Sequence, residues 1–246
     1  MRNEKILEIG NARNPLFLQL SRLDREQEFP DVPVMPETLL LMELMVRERT
    51  VDLGDLSQLV LGDMGATIQI MRLAGSDESL ADARPARIED CISGLGLEAC
   101  LEAVSKQTLK RSARHPGMNA MWTHAREIAE ICRTLAEEDP LSANPEEAYL
   151  VGLFHAIGSL PVVLEWDRSI HLPDDPELAG LRLAQAWALP HCVIDYFSEL
   201  RPLSNGNRWR RLVEQAHAYD CAQPETPLPS QKHAIPSTPW MQSVYS

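Results

Sequence analysis

Apolar residues recur three and four positions apart along most of this chain, the period of a helix with one buried face. Leu16, Leu20 and Leu23 follow it within a lead helix expected from about Glu4 to Arg25, broken near Asn14-Pro15. Phe29-Pro30-Asp31-Val32-Pro33-Val34-Met35-Pro36 then interrupts the pattern. Its prolines fix φ and remove donors, so an extended segment is expected there. A helix is predicted from Pro36 to about Glu48. Asp52 can cap the next, with Asp55 opposing the dipole and Leu53, Leu56 and Val60 on one face. Gly62-Asp63 breaks it, and Asp63 can cap a helix carrying Ile68, Met71 and Leu73 that ends at Gly75-Ser76.

The same period continues downstream. A short helix is predicted over Ile88 to Ser93, then Gly94-Leu95-Gly96 as punctuation, then a helix carrying Leu97, Leu101, Val104 and Thr108. From Pro116 to Glu138 the stripe Met121, Ala125, Ile128, Cys132 and Leu135 marks a long amphipathic helix. Asn144-Pro145-Glu146-Glu147 combines a cap, a first-turn proline and two acids at the positive end of the dipole. The helix it opens, with Leu150, Val151, Leu153, Phe154 and Ile157, is apolar nearly all round and belongs at the centre of the core, ending at Gly158. Leu160-Pro161-Val162-Val163-Leu164 is read as the start of a helix rather than a strand, since nothing nearby pairs with it. Helices are expected over Glu177–Ala188, Pro190–Leu200 and Gly206–Cys221. The pattern then fails. Gln223 to Ser246 holds Pro224, Pro227, Pro229, Pro236 and Pro239, a composition too poor in apolar residues to order itself, though Trp240 and Tyr245 admit a docking motif. The expectation is an all-α fold: a lead helix over 1–28, a single multi-helix domain over 29–221, and a flexible Pro-rich tail over 222–246.

Composition narrows the function classes. A formal net charge of −13 disfavours general nucleic-acid binding, because phosphate backbones are repelled. Two basic clusters stand against that background. Lys106, Lys110, Arg111 and Arg114 form a candidate anion or partner patch, and Arg201, Arg208, Arg210 and Arg211 form a second. Solvated helix faces are the plainer reading of both. Cys91, Cys100, Cys132, Cys192 and Cys221 are odd in number and lack CxxC spacing, so reduced thiols are expected rather than a disulfide framework or a zinc knuckle. No run of ~20 apolar residues and no signal-peptide pattern occurs in the sequence, and a cytoplasmic location without membrane association is expected. Nucleophile elbows, phosphate-binding loops and HExxH helices are absent from it.

The stretch Tyr149-Leu150-Val151-Gly152-Leu153-Phe154-His155-Ala156-Ile157-Gly158 resembles the central helix of a metal-dependent His-Asp phosphohydrolase, with Ala156 where the aspartate should stand. Other blocks occur in matching order: Phe29-Pro30-Asp31-Val32-Pro33, Asp63-Met64-Gly65-Ala66 through Leu73-Ala74-Gly75-Ser76, Ile88 to Gly96, Met121-Trp122-Thr123-His124, and Trp187-Ala188-Leu189-Pro190. Together they resemble the HDOD domain, a catalytically degenerate branch of the His-Asp superfamily found in bacterial signalling proteins, over about Phe29 to Cys221. The resemblance implies vestigial metal-site positions at His124, His155, Ala156 and His217, the last replacing an aspartate. A His-His pair common in the family is replaced by Ser198-Glu199 or missing.

A superfamily phosphohydrolase uses metal-bound water against phosphorus, and a carboxylate bridges its two ions. A methyl at 156 removes that bridge. The expectation is therefore a non-enzymatic bacterial signal-transduction or regulatory module that needs no cofactor. It would act by binding a regulatory protein or a small signalling ligand, with a homodimer admitted. Two alternatives stay open. One is a relic phosphohydrolase with one metal on His124, His155 and His217, since three imidazoles and an open position form a real zinc geometry. The other is a nucleotide-binding sensor built on Lys106 to Arg114.

Overall fold

A computed structural model describes residues 29–48, 52–77, 87–108, 116–139, 143–167, 170–198 and 208–222. The expected lead helix, and the tail from residue 223 with Trp240 and Tyr245, lie outside the described residues. The described chain is all-α. After the extended Pro-rich segment come α1 (Pro36–Glu48), α2 (Leu53–Leu61), α3 (Met64–Ser76), α4 (Ile88–Leu95) and α5 (Leu97–Thr108). The second half holds α6 (Pro116–Glu138), α7 (Pro145–Phe154), a 3-10 turn (Ile157–Ser159), α8 (Leu160–Val163), α9 (Pro176–Ala186), α10 (His191–Phe197) and α11 (Arg208–Ala222).

Helix starts follow their capping side chains. Asp52 accepts from the backbone of Gly54 and Asp55, Asn144 from Glu146 and Glu147, and Asp175 from Glu177 and Leu178. Each pairs orphan N–H groups that the first turn leaves without partners. Helix ends depart further from expectation. α7 stops at Phe154 rather than running to Ile157. Ala156 adopts φ −106°, ψ 10°, its carbonyl accepts from Ser159, and the chain tightens into the 3-10 turn. α9 stops at Ala186, not Ala188. There Ala188 N–H donates to Gln185 and Leu189 N–H to Ala184, with Ala188 at φ +52°. This is a Schellman ending, with alanine where glycine is usual. α10 closes at Phe197, three residues before the expected end, and α11 includes Ala222, which the tail was expected to hold.

The closest helix pairings fall into two groups, α1 to α5 and α6 to α11. α7 is the hub of the second: every side chain from Ala148 to Phe154 is buried, as its all-round apolarity predicts. Gly152 makes its closest approach possible, since a Cβ there would sit 2.5 Å from the Ala129 Cα on α6. One continuous apolar core joins the groups, and two long-range hydrogen bonds cross between them. Tyr149 Oη donates to the Leu61 carbonyl at 3.1 Å, and Trp122 Nε1 donates to Asp63 at 3.3 Å. Cys91, Cys100, Cys132 and Cys192 are buried free thiols, and Cys221 is an exposed one. No described helix is long and apolar enough to cross a membrane.

Candidate functional site

Three helices of the second group bring together three histidines that are distant in sequence. His124 lies on α6 beside the buried Trp122, whose anchor to Asp63 fixes that turn of the helix. His155 is the residue that ends α7. His217 lies on α11, next to the buried Ala216. All three are half-buried, and one ring nitrogen from each lies within 4.8 Å of those of the other two. The ring centroids form a nearly equilateral triangle with sides of 5.3, 5.2 and 5.0 Å.

The ends and crossings of helices set this geometry. Gly152 lets α7 settle onto the backbone of Ala129 on α6, which draws His155 toward His124. Because α7 ends at Phe154, His155 stands at the rim of the core rather than inside a continuing helix. Its Nδ1 lies 2.6 Å from the Gly152 carbonyl. A carbonyl only accepts, so Nδ1 carries the proton and Nε2 keeps the ring's free lone pair. Burial lowers the His155 pKa to about 4; the bond to Gly152 opposes the shift, and the nearby His217 and His124 add to it. Burial also lowers the His217 pKa, helped by His124 and opposed by Asp220. Both rings are therefore neutral near pH 7, the form that donates a lone pair.

The group of three contains no carboxylate. Beside His155, Ala156 presents a methyl. A binuclear, carboxylate-bridged centre of the superfamily kind does not fit these residues: neither the bridge at 156 nor an acid at 217 is present.

The other singled-out residues are only partly described. Lys106 pairs with Glu102 on its own helix at 2.7 Å, while Lys110, Arg111 and Arg114 lie outside the described residues. In the second cluster Arg201 is likewise outside them, Arg211 is exposed, Arg208 approaches Glu147 at 3.8 Å, and Arg210 grips Glu177 with both terminal nitrogens. Sequence reasoning passed over the Gly152 carbonyl as the group that orients His155. The signal was faint: a glycine three residues before a histidine at a helix end.

The comparisons place the chain among known proteins. The HDOD domain family model matches residues 32–172, a stretch that takes in His124, His155 and Ala156 and stops short of His217. A crystal structure of a fragment of the MmoQ response regulator from Methylococcus capsulatus strain Bath superposes with a TM-score of 0.62 at 20% identity, covering 86% of this chain and 93% of that one. A second crystal structure of that response regulator gives 0.61 at 19% identity, covering 84% and 92%. No curated protein matches.

Proposed function

The chain belongs to the HDOD family, and from that premise we propose that it is a non-enzymatic regulatory module that works by binding a protein or a small signalling ligand. The observation that carries the reading is the donor set at the vestigial site. Ala156 stands where a hydrolytic relative needs its bridging carboxylate, and the clustered residues are imidazoles alone. A neutral donor set leaves two divalent ions and an attacked phosphate without the charge compensation such chemistry requires. That a protein of the same fold carries the name response regulator agrees with a signalling role.

A helical core that keeps one packing can present its outer faces to a partner, which then stabilises the arrangement it prefers. A recess between the two helix groups, lined by Ser57, Arg133, Glu146 and Tyr149 among others, offers one such face. The test is double. Tag-free protein incubated with bis-p-nitrophenyl phosphate and Mg²⁺, Mn²⁺ or Zn²⁺ should release no p-nitrophenol above the buffer rate. The same protein immobilised in lysate of its native host should retain a partner that binds saturably when purified. Metal-dependent turnover that disappears in a His155→Ala variant would overturn the reading. The convergence of His124, His155 and His217 favours a second reading, a relic phosphohydrolase with one metal, and the turnover assay decides between the two.

A further inference from the structure

We propose that His124, His155 and His217 hold one divalent cation of the zinc class, a mononuclear all-nitrogen site that ties α11 to α6 and α7. The claim begins with the positions of the rings. In a tetrahedral zinc site, Zn–N is ~2.05 Å and a ring centroid lies about 1.15 Å beyond its nitrogen, so bound imidazole centroids stand roughly 5.2 Å apart. The observed sides are 5.3, 5.2 and 5.0 Å. The rings already occupy the required triangle. One nitrogen from each ring lies within 4.8 Å of the other two, and binding an ion would close these atoms to the ~3.4 Å spacing of tetrahedral ligands.

The second observation is orientation. Histidine ligands are typically held by a hydrogen bond from the nitrogen that does not bind metal, and the Gly152 carbonyl does this for His155 Nδ1. That bond fixes the tautomer and leaves Nε2 to donate.

The donor chemistry names the ion. Magnesium, calcium and manganese need oxygen ligands, whereas neutral imidazole suits zinc, cobalt, nickel and copper. The cluster consists of imidazoles without a carboxylate, a donor set for borderline ions rather than hard ones. Three protein ligands leave a fourth position for water or for a donor from a partner. The consequence is conformational. α11 packs on α6, α7 and α10, and the ion would add a cross-link between it and the first two.

The site stands independently of the regulatory reading: turnover would sink that one, and absent binding would sink this one. The experiment uses tag-free, EDTA-treated full-length protein titrated with Zn²⁺, Co²⁺, Mg²⁺ and Mn²⁺. Elemental analysis after desalting should give one zinc per chain. Zinc at a hundredfold excess over its Kd should raise Tm by roughly 5–10 °C. Cobalt should give the intense visible bands of four-coordinate Co²⁺. His217→Ala and His124→Asn should each lose the bands and the zinc shift, while keeping the metal-free Tm within a few degrees. His191→Ala, an exposed histidine outside the cluster, should keep both. The proposal falls if zinc produces no shift, if Mg²⁺ or Mn²⁺ matches it, or if the shift survives in both cluster variants. Should one variant fail to fold, the other together with the cobalt spectrum still decides.

Discussion

Two polar centres among the described residues, one in each group of helices, are built on opposite principles. In the first half the centre is Asp63, buried at the start of α3. Its Oδ1 accepts from the backbone of Gly65 and Ala66 and from Trp122 Nε1, and its Oδ2 accepts from Met35 N at 2.7 Å. Burial pushes the carboxyl pKa up, and the hydrogen bonds from Met35, Ala66, Thr38 and Trp122 pull it back. Both oxygens are engaged and none is left for a ligand. In the second half the centre is the histidine triangle, half-buried, with a carbonyl partner for one ring and lone pairs held close together. A buried polar group whose bonds are all made within the fold specifies structure; lone pairs gathered at a partly exposed site stay available to a ligand. By that criterion Asp63 is a rivet and the triangle is a socket.

The contrast breaks first at the rivet. Asp63→Ala leaves the donors of Met35, Thr38, Gly65, Ala66 and Trp122 facing a methyl, and removes the hydrogen bond by which Trp122 of α6 reaches this half. Each orphaned donor costs about 1–3 kcal/mol, partly relieved by water, so a loss of about 4 kcal/mol is expected. The urea midpoint measures it. A loss below 1 kcal/mol would mean that Asp63 is not a structural hub. Next comes the crossing that builds the socket. Gly152→Ala pushes a methyl into the Ala129 backbone and should cost about 3 kcal/mol, since neither helix axis can yield alone. It should also weaken zinc retention, because His155 is displaced with its helix. Wild-type stability in this variant would show that α6 and α7 are not so closely packed.

These two centres also show what the sequence could and could not disclose. The caps at Asp52, Asp63 and Asn144 were legible because an N-cap bonds two or three residues ahead, within one reading window. The bonds from Met35 and Trp122 to Asp63 were not, because tertiary packing creates them. The end of α9 escaped notice since Ala188 stands where glycine usually signals the turn. The end of α7 escaped for a related reason: apolar residues continue through Ile157 while the backbone has already left the helix. The histidines were named from a resemblance, position by position. No spacing rule brings residues on three separate helices to one point, so their convergence, and the match of their ring triangle to a metal's geometry, needed the fold.

Acid sharpens the comparison, because the first group of helices, α1 to α5, contains no histidine. In metal-free protein His155 is held neutral, with a pKa lowered to about 4 from the ordinary 6.5. The unfolded chain takes up its proton near pH 6.5 and the folded chain resists until about 4. Stability from this group is therefore full above that window and is lost as pH falls through it. Between pH 7 and pH 5 the loss should be about 2 kcal/mol, with His217 shifting in the same direction. Urea midpoints at the two pH values, for the wild type and for His155→Gln, measure it. The variant should show the smaller pH dependence; equal slopes would mean that His155 is not desolvated in the folded state.

The smallest effect concerns the basic residues at the start of α11, which the sequence offered as a second candidate patch. Arg210 makes a bidentate pair with Glu177 of α9 at 2.7 and 3.2 Å, and its Nε donates to the Tyr196 carbonyl at the end of α10. A guanidinium engaged on two sides ties three helices together and has little left for an outside anion. The pair is partly exposed, with side chains at 30% and 56% of full accessibility, so water and salt screen it. Arg210→Leu, which keeps an apolar stem, should cost about 1 kcal/mol, and 1 M NaCl should shrink the difference from wild type. If the variant instead keeps its stability but loses affinity for a phosphorylated or acidic partner, the arginine serves binding. The second half would then contain two sockets, and the rule that separates gathered-but-free groups from paired ones would fail at α11.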